Sequence, residues 1–276
     1  MVERNYRRPA IRELSSPSNA LLKVFRHALA EGVTREGWLA VEGPHLVEEA
    51  LRTSANCSVH SLLVDRKAAR EMRELLGRVP KEAEVTQVSE RLFEQVAQTQ
   101  APQGIAALVE LRPHDLDAFL ARRDAFFLVG CGVQDPGNIG VMIRSAQALG
   151  ATAVITLRET VSPFNPKAVR ASAGAIFCLP VFQGLEPSEL FHRLRAAHVR
   201  IIAADQNSPV PLWHADLKAA VAILIGREGT GLAPELFREA SQLLTIPICP
   251  GTDSINAAAA ASLFLYEAVR QRTFTY

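Results

Sequence analysis

Only four cysteines occur in 276 residues, and Cys57, Cys131, Cys178 and Cys249 stand far apart, with no Cys-x-x-Cys pair and no histidine at ligand spacing. This excludes a disulfide framework and a zinc site as organising features, so a reduced, cytoplasmic chain with no metal is expected. Long hydrophobic runs are missing too. The longest, Ala257 to Tyr266, is broken by Ser262 and is too short to span a bilayer, so no membrane partner is expected. The first residues are charged rather than apolar, which argues against a signal peptide. There is no excess of one charge: 30 Lys and Arg face 29 Asp and Glu, and residues 1–115 hold 16 of each sign. Only the first dozen residues are locally basic, with Arg4, Arg7, Arg8 and Arg12 against Glu3. Such an arm can track phosphates, or be a solvated terminus. No repeat of fixed period is visible.

What is present is apolar sequence, 48% of the chain, in which strand-like and helix-like runs alternate from end to end. That alternation favours an α/β architecture, and the length suits two domains. Caps at Ser16 to Asn19 precede an amphipathic stripe, Leu21, Leu22, Phe25 and Leu29, which Gly32 stops. Strands are expected at 38–41, 59–64, 85–88 and 105–109, with helices at 44–51, through Met72 and Leu75, and at 91–96. Proline and polar residues at Arg112-Pro113-His114-Asp115 mark the boundary. The expected domains are therefore 1–113 and 114–276.

The second domain opens with a buried strand at 126–129, followed by Gln134-Asp135-Pro136-Gly137-Asn138. Pro136-Gly137 suits the centre of a type II turn, and Asn138 can cap the next helix. That helix buries Ile139, Met142, Ile143, Ala146 and Leu149, with Arg144 beside the stripe. Six residues of rise is only about 9 Å, so the Arg144 side chain is within reach of the Asn138 loop. Further strands are expected at 153–157 and 200–204, with helices at 166–173 and 190–197. Two short apolar runs, Val221 to Ile225 and Leu243 to Ile246, read as buried parallel strands that exit into glycine-bearing loops. The last helix is expected from about Ile255 to Arg272, capped by Ser254 or Asp253. Ligands in such sheets bind at the carboxyl ends of the strands.

Familiar nucleotide motifs fail. Gly130-Cys131-Gly132 begins a dinucleotide fingerprint, but Asp135 stands where its third glycine belongs. Gly226 and Gly231 have phosphate-loop spacing, but Leu232 and Ala233 replace the required Lys and Ser/Thr. A nicotinamide or nucleoside-triphosphate enzyme is therefore disfavoured.

Three blocks together resemble the SpoU (TrmH-type) family of RNA ribose 2′-O-methyltransferases. They are Gln134 to Gly140 with Arg144 following, Gly226-Arg227-Glu228-Gly229-Thr230-Gly231-Leu232, and Ile246-Pro247 leading to Ser254-Ile255-Asn256. Asn165 to Gly174 and Leu265 to Ala268 are similar to that family as well, as are Arg35 to Gly43 and Gln103 to Ala106 in the first domain. The resemblance implies a parallel-sheet domain with a deep trefoil knot that pairs as a homodimer. Before it would stand a small α/β ribosomal-protein-like domain that binds structured RNA, with ribosomal RNA favoured over transfer RNA. It implies S-adenosyl-L-methionine as cofactor, its adenosyl part held by the main chain at Gly226, Ile246 and Ile255. Arg227 departs from the family, standing where a small or amide residue is usual, and Ile255 replaces a common leucine.

The same resemblance marks Arg144 as catalytic. An arginine stays protonated, so its expected work is to hold a phosphate and stabilise alkoxide charge on the ribose oxygen. Asn138 has a second role open to it as a helix cap. Glu228 is open to binding Arg144 or a ribose hydroxyl, or to pairing with Arg227. Ser254 and Asn256 are expected to position substrate. The competing reading from another class is a knotted RNA-binding assembly factor without catalysis.

Overall fold

The computed structural model describes residues 10–273, so Arg4, Arg7 and Arg8 of the basic arm lie outside the described residues. Contacts group the chain into two units. The first runs to Pro113 and also takes in Phe164–Phe177, a segment expected in the second domain; the second comprises His114–Pro163 and Cys178 onward.

The first unit contains β1 (Ile11–Glu13), α1 (Ala20–Glu31), β2 (Leu39–Glu42), α2 (Pro44–Arg52) and β3 (Cys57–Asp65). It continues with α3 (Arg66–Glu71), α4 (Arg73–Leu76), β4 (Glu84–Val88), α5 (Glu90–Glu94) and β5 (Ile105–Leu111). Its sheet has the order β1-β4-β3-β5-β2. Asn19 caps α1 by accepting from the Leu21 amide, and Leu22, Phe25 and Leu29 pack on Leu63, Phe93 and Leu108. Gly32 ends that helix at φ 101°, and a Cβ there would lie 1.9 Å from the Phe164 carbonyl oxygen. The returning segment therefore passes where only glycine leaves room. Two expectations are corrected. Arg12 belongs to strand β1, paired with β4, rather than to a free arm. The single helix expected through Met72 is two short ones, broken at Met72 with ψ 35°.

The second unit follows with α6 (Leu116–Leu120), β6 (Phe126–Gly130), α7 (Pro136–Ala148) and β7 (Ala153–Leu157). After α8 (Pro166–Ala171), which lies in the first unit, come β8 (Val181–Leu185), α9 (Pro187–Ala196), β9 (Arg200–Ala204) and β10 (Val221–Ile225). The chain closes with α10 (Pro234–Glu239), β11 (Gln242–Leu244) and α11 (Ala257–Thr273). Its six strands are parallel in the order β11-β9-β10-β6-β7-β8. Strands covered on both faces read as continuous apolar runs, and all five residues of β10 are buried. Phe127, Val129, Ile155 and Leu224 meet Leu120, Leu190, Leu194 and Leu236 from α6, α9 and α10 on one face. On the other face α7 and α11 pack together, and Ser145 bonds Ser262 at 2.8 Å between them.

The end of α11 is held by side-chain bonds to main chain. Buried Gln271 donates to the Ala215 carbonyl and accepts from the Leu217 amide, both at 2.8 Å. Arg272 lies over the Phe126 ring and donates to the Leu217 carbonyl at 2.9 Å. These bonds satisfy polar backbone groups at the amino-terminal end of the sheet, and they set the axis along which the opposite end of α11 reaches the site.

Candidate active site at the strand ends

The loops leaving β9, β10 and β11 and the first turns of α11 enclose a cavity of about 270 Å³. It lies at the carboxyl ends of adjacent parallel strands, where open α/β sheets bind ligands. Ile225, Leu244, Ile246, Ile255 and Phe264 supply apolar walls. Gly226, Ile246 and Ile255 make no main-chain hydrogen bond among the described residues, so their amides and carbonyls are available to a ligand.

After β10 the chain forms a tight hairpin. The Arg227 amide donates to the Gly231 carbonyl and the Gly231 amide to the Arg227 carbonyl, each at 3.0 Å. Gly229 and Gly231 turn it with φ of 78° and 68°. A Cβ on Gly226 would lie 2.3 Å from the Gly231 carbonyl carbon, so the two arms meet closely enough to require glycine.

On the neighbouring side, α7 starts at Pro136, with Asp135 as its cap accepting from the Gly137 amide at 2.9 Å. Asn138 is therefore not the cap, and Pro136-Gly137 is the first helical turn rather than a type II turn. Proline suits that first position because its missing N–H would have no partner there. The Asn138 side chain is free for another use. Its amide nitrogen donates to the Glu228 carboxylate, and its oxygen accepts from the Asn256 amide at 2.9 Å. Asn256 in turn caps α11, accepting from Ala258 and Ala259 at 2.9 and 3.2 Å. The expected caps, Ser254 and Asp253, are displaced by this residue, and the helix begins at Ala257. Glu228, Asn138 and Asn256 thus form one hydrogen-bonded row.

Glu228, Ser254, Gly226, Ile246 and Ile255 line the cavity, while Asn138 and Asn256 join its rim through Glu228. Arg144 does not join them. It is exposed on α7, outside the cavity lining, with no hydrogen bond or ion pair among the described residues. It shares a face of α7 with Val141, 40% exposed, and α11, which packs on α7, exposes Leu263 and Tyr266 at 45% and 59%. Arg227 does not pair with Glu228 but turns to Glu159, at 3.2 Å.

Sequence reasoning missed Asp205, which follows β9 and lines the cavity. The rule that ligands meet strand ends was signal enough to include it. Cys131, on the exit of β6, is no nucleophile: burial pushes its thiol well above the usual range.

The SpoU rRNA Methylase family model matches residues 125–266, and the MRM3-like substrate binding domain matches residues 34–107. The chain is 32% identical to the 23S rRNA (uridine(2479)-2′-O)-methyltransferase of Streptomyces viridochromogenes, over 98% of this chain and 96% of that one. It is 30% identical to the 23S rRNA (guanosine(2553)-2′-O)-methyltransferase RlmP of Bacillus subtilis, covering 93% and 98%. Among solved structures, an AdoMet-bound rRNA methyltransferase from Sinorhizobium meliloti superposes with a TM-score of 0.83 at 29% identity, covering 96% and 99%.

Proposed function

The chain belongs to the SpoU rRNA Methylase family, and from that membership we propose that it methylates a ribose 2′-hydroxyl of ribosomal RNA, using S-adenosyl-L-methionine. The observation that carries this reading is the cavity after β9, β10 and β11, with the Glu228-Asn138-Asn256 row at its rim. Its residues fit that cofactor. Apolar walls from Ile246 and Ile255 suit an adenine ring, and the unpaired main chain at Gly226, Ile246 and Ile255 suits its polar edge. The charged lining consists of Asp205, Glu228 and Arg227, the last already paired with Glu159. Such a wall favours a ligand bearing cationic centres over a polyphosphate.

When bound, the sulfonium supplies an activated methyl group, so the protein's work is placement and charge stabilisation. Asn138, held from both sides, and Ser254 orient the ribose. Glu228 holds Asn138 and faces the cavity. Arg144 stabilises negative charge as the 2′-oxygen gives up its proton to solvent water, acting through its permanent charge rather than as a base. Its position outside the cavity fits a homodimer, formed over the Val141, Leu263 and Tyr266 patch, in which the site is completed at the interface. Exposed apolar clusters of this kind mark contact surfaces.

In this reading residues 1–113 recognise RNA, supported by the substrate-binding-domain match, and residues 114–276 carry the methyl transfer, their loops closing as a trefoil knot. A cytoplasmic setting follows from the substrate; among the described residues no helix is long and apolar enough to cross a membrane.

Methyl-tritiated cofactor and ribosomal RNA from cells lacking the gene test the reading. Label is expected in dinucleotides that survive alkaline hydrolysis, because a methylated 2′-oxygen cannot attack its phosphate. Label confined to bases defeats the 2′-oxygen as target, and no label at all defeats the reading and leaves the assembly-factor alternative.

A further inference from the structure

Arg227 is one of the three charged residues lining the cavity, yet its guanidinium reaches across to the loop after β6. Its Nε donates to the Gly132 carbonyl at 3.0 Å and its Nη2 meets the Glu159 carboxylate at 3.2 Å. We propose that Arg227 is a positioning residue, whose guanidinium ties the Gly226–Gly231 hairpin to the β6 exit loop and so holds Glu228 against Asn138. This inference rests on the reading of Glu228 and Asn138 as site residues.

The receiving side is built for this arm. Gly132 has φ 74°, and a Cβ on it would stand 2.8 Å from the Arg227 Nε, so the glycine leaves the arm its path. The Gly132 amide donates to the Thr160 hydroxyl at 2.9 Å, and the same hydroxyl donates to the Gly130 carbonyl at 3.0 Å. Gln134 donates to the Gly132 carbonyl at 2.9 Å and also to the Glu159 carbonyl. Glu159 itself sits at φ 66°, a left-handed conformation that is unfavourable for a non-glycine residue. That conformation is kept where its carboxylate faces Arg227.

The hairpin needs such a tie. An added Cβ at Gly229 or Gly231 would meet nothing within 4 Å, so the tip of the hairpin is open on that side. Glu228 is adjacent to Arg227 in the chain, and its carboxylate accepts from Asn138 in the first turn of α7. Two links, from consecutive residues, therefore join the hairpin to the β6 exit loop at Gly132 and to the first turn of α7 at Asn138. Arg227 and Glu159 are 44% and 78% exposed, so their attraction adds little to global stability. The effect falls on where Glu228 and Asn138 stand.

The test compares Arg227→Ala, Arg227→Lys and Glu159→Ala with wild type in steady-state methyl transfer, cofactor calorimetry and thermal melting. Arg227→Ala is expected to lower kcat about tenfold or more, consistent with misplaced catalytic groups, with Tm and RNA KM nearly unchanged. Arg227→Lys lacks the fork that meets two acceptors and recovers only part of kcat. Arg227→Ala combined with Glu159→Ala should be no slower than Arg227→Ala alone. A raised RNA KM with kcat intact makes Arg227 an RNA contact and overturns the inference, as does a Tm loss that accounts for the fall in rate. If wild type itself transfers no methyl, the functional reading has failed instead. If wild type is active and all three variants match it, only this inference falls.

Discussion

Arg144→Ala is expected to lower methyl transfer by about 10²–10³-fold, the usual cost of deleting one preorganised donor to a developing oxyanion. Cofactor affinity should hold within about twofold, because the side chain is exposed and outside the cavity lining. Tm should also hold, since Arg144 makes no hydrogen bond or ion pair among the described residues. Steady-state kinetics beside cofactor calorimetry separates these effects. Arg144→Lys restores charge without the planar fork, so its recovery should be incomplete. Mixing supplies a sharper reading. A dimer of one Arg144→Ala chain and one chain with a ruined cavity regains transfer only if Arg144 serves the partner's site.

Gly226→Val is the cavity-ruining change and the second large effect expected. A Cβ at this position lies 2.3 Å from the Gly231 carbonyl carbon and 2.5 Å from the Leu232 nitrogen, both main chain. Neither can swing aside as a side chain would, so the hairpin must open. Opening moves Glu228 away from Asn138 and removes the wall beside Ile225. A shift of about 1 Å can cost 10²-fold in rate, and loss of the main-chain contacts should weaken cofactor binding about tenfold or more. Gly229→Ala makes the comparison. Its Cβ meets nothing, so only the backbone cost of φ 78° is felt and binding should fall much less. Equal losses in the two variants would contradict the close-approach argument.

The buried parallel strands were legible because both faces are covered: Val221 to Ile225 is apolar throughout, and so is Phe126 to Val129. Two of the four edge strands, β8 and β1, were not. β8 includes Gln183 and Gly184 and is half exposed, and β1 is exposed along its length, so neither shows an apolar period. Cap positions were misassigned where several capping residues stand together. Asp135 and Asn138 compete before α7, as do Asp253, Ser254 and Asn256 before α11, and tertiary contacts decide between them. Asn138 is taken by Glu228, and that link joins residues 90 apart in sequence. The Arg227–Glu159 pair, 68 residues apart, was equally invisible. The glycine blocks marked the cavity, whereas the position of Arg144 on an outer face follows only from the packing of α7 on the sheet and on α11.

The loops after β9, β10 and β11 are proposed to hold the methyl donor. A crystal structure with S-adenosylhomocysteine tests this most directly. Adenine is expected between Ile246 and Ile255, bonded to main chain there and at Gly226. Density in the other groove beside this hairpin, lined by Leu157, Glu186 and Leu236, or full affinity in Gly226→Val, would contradict it.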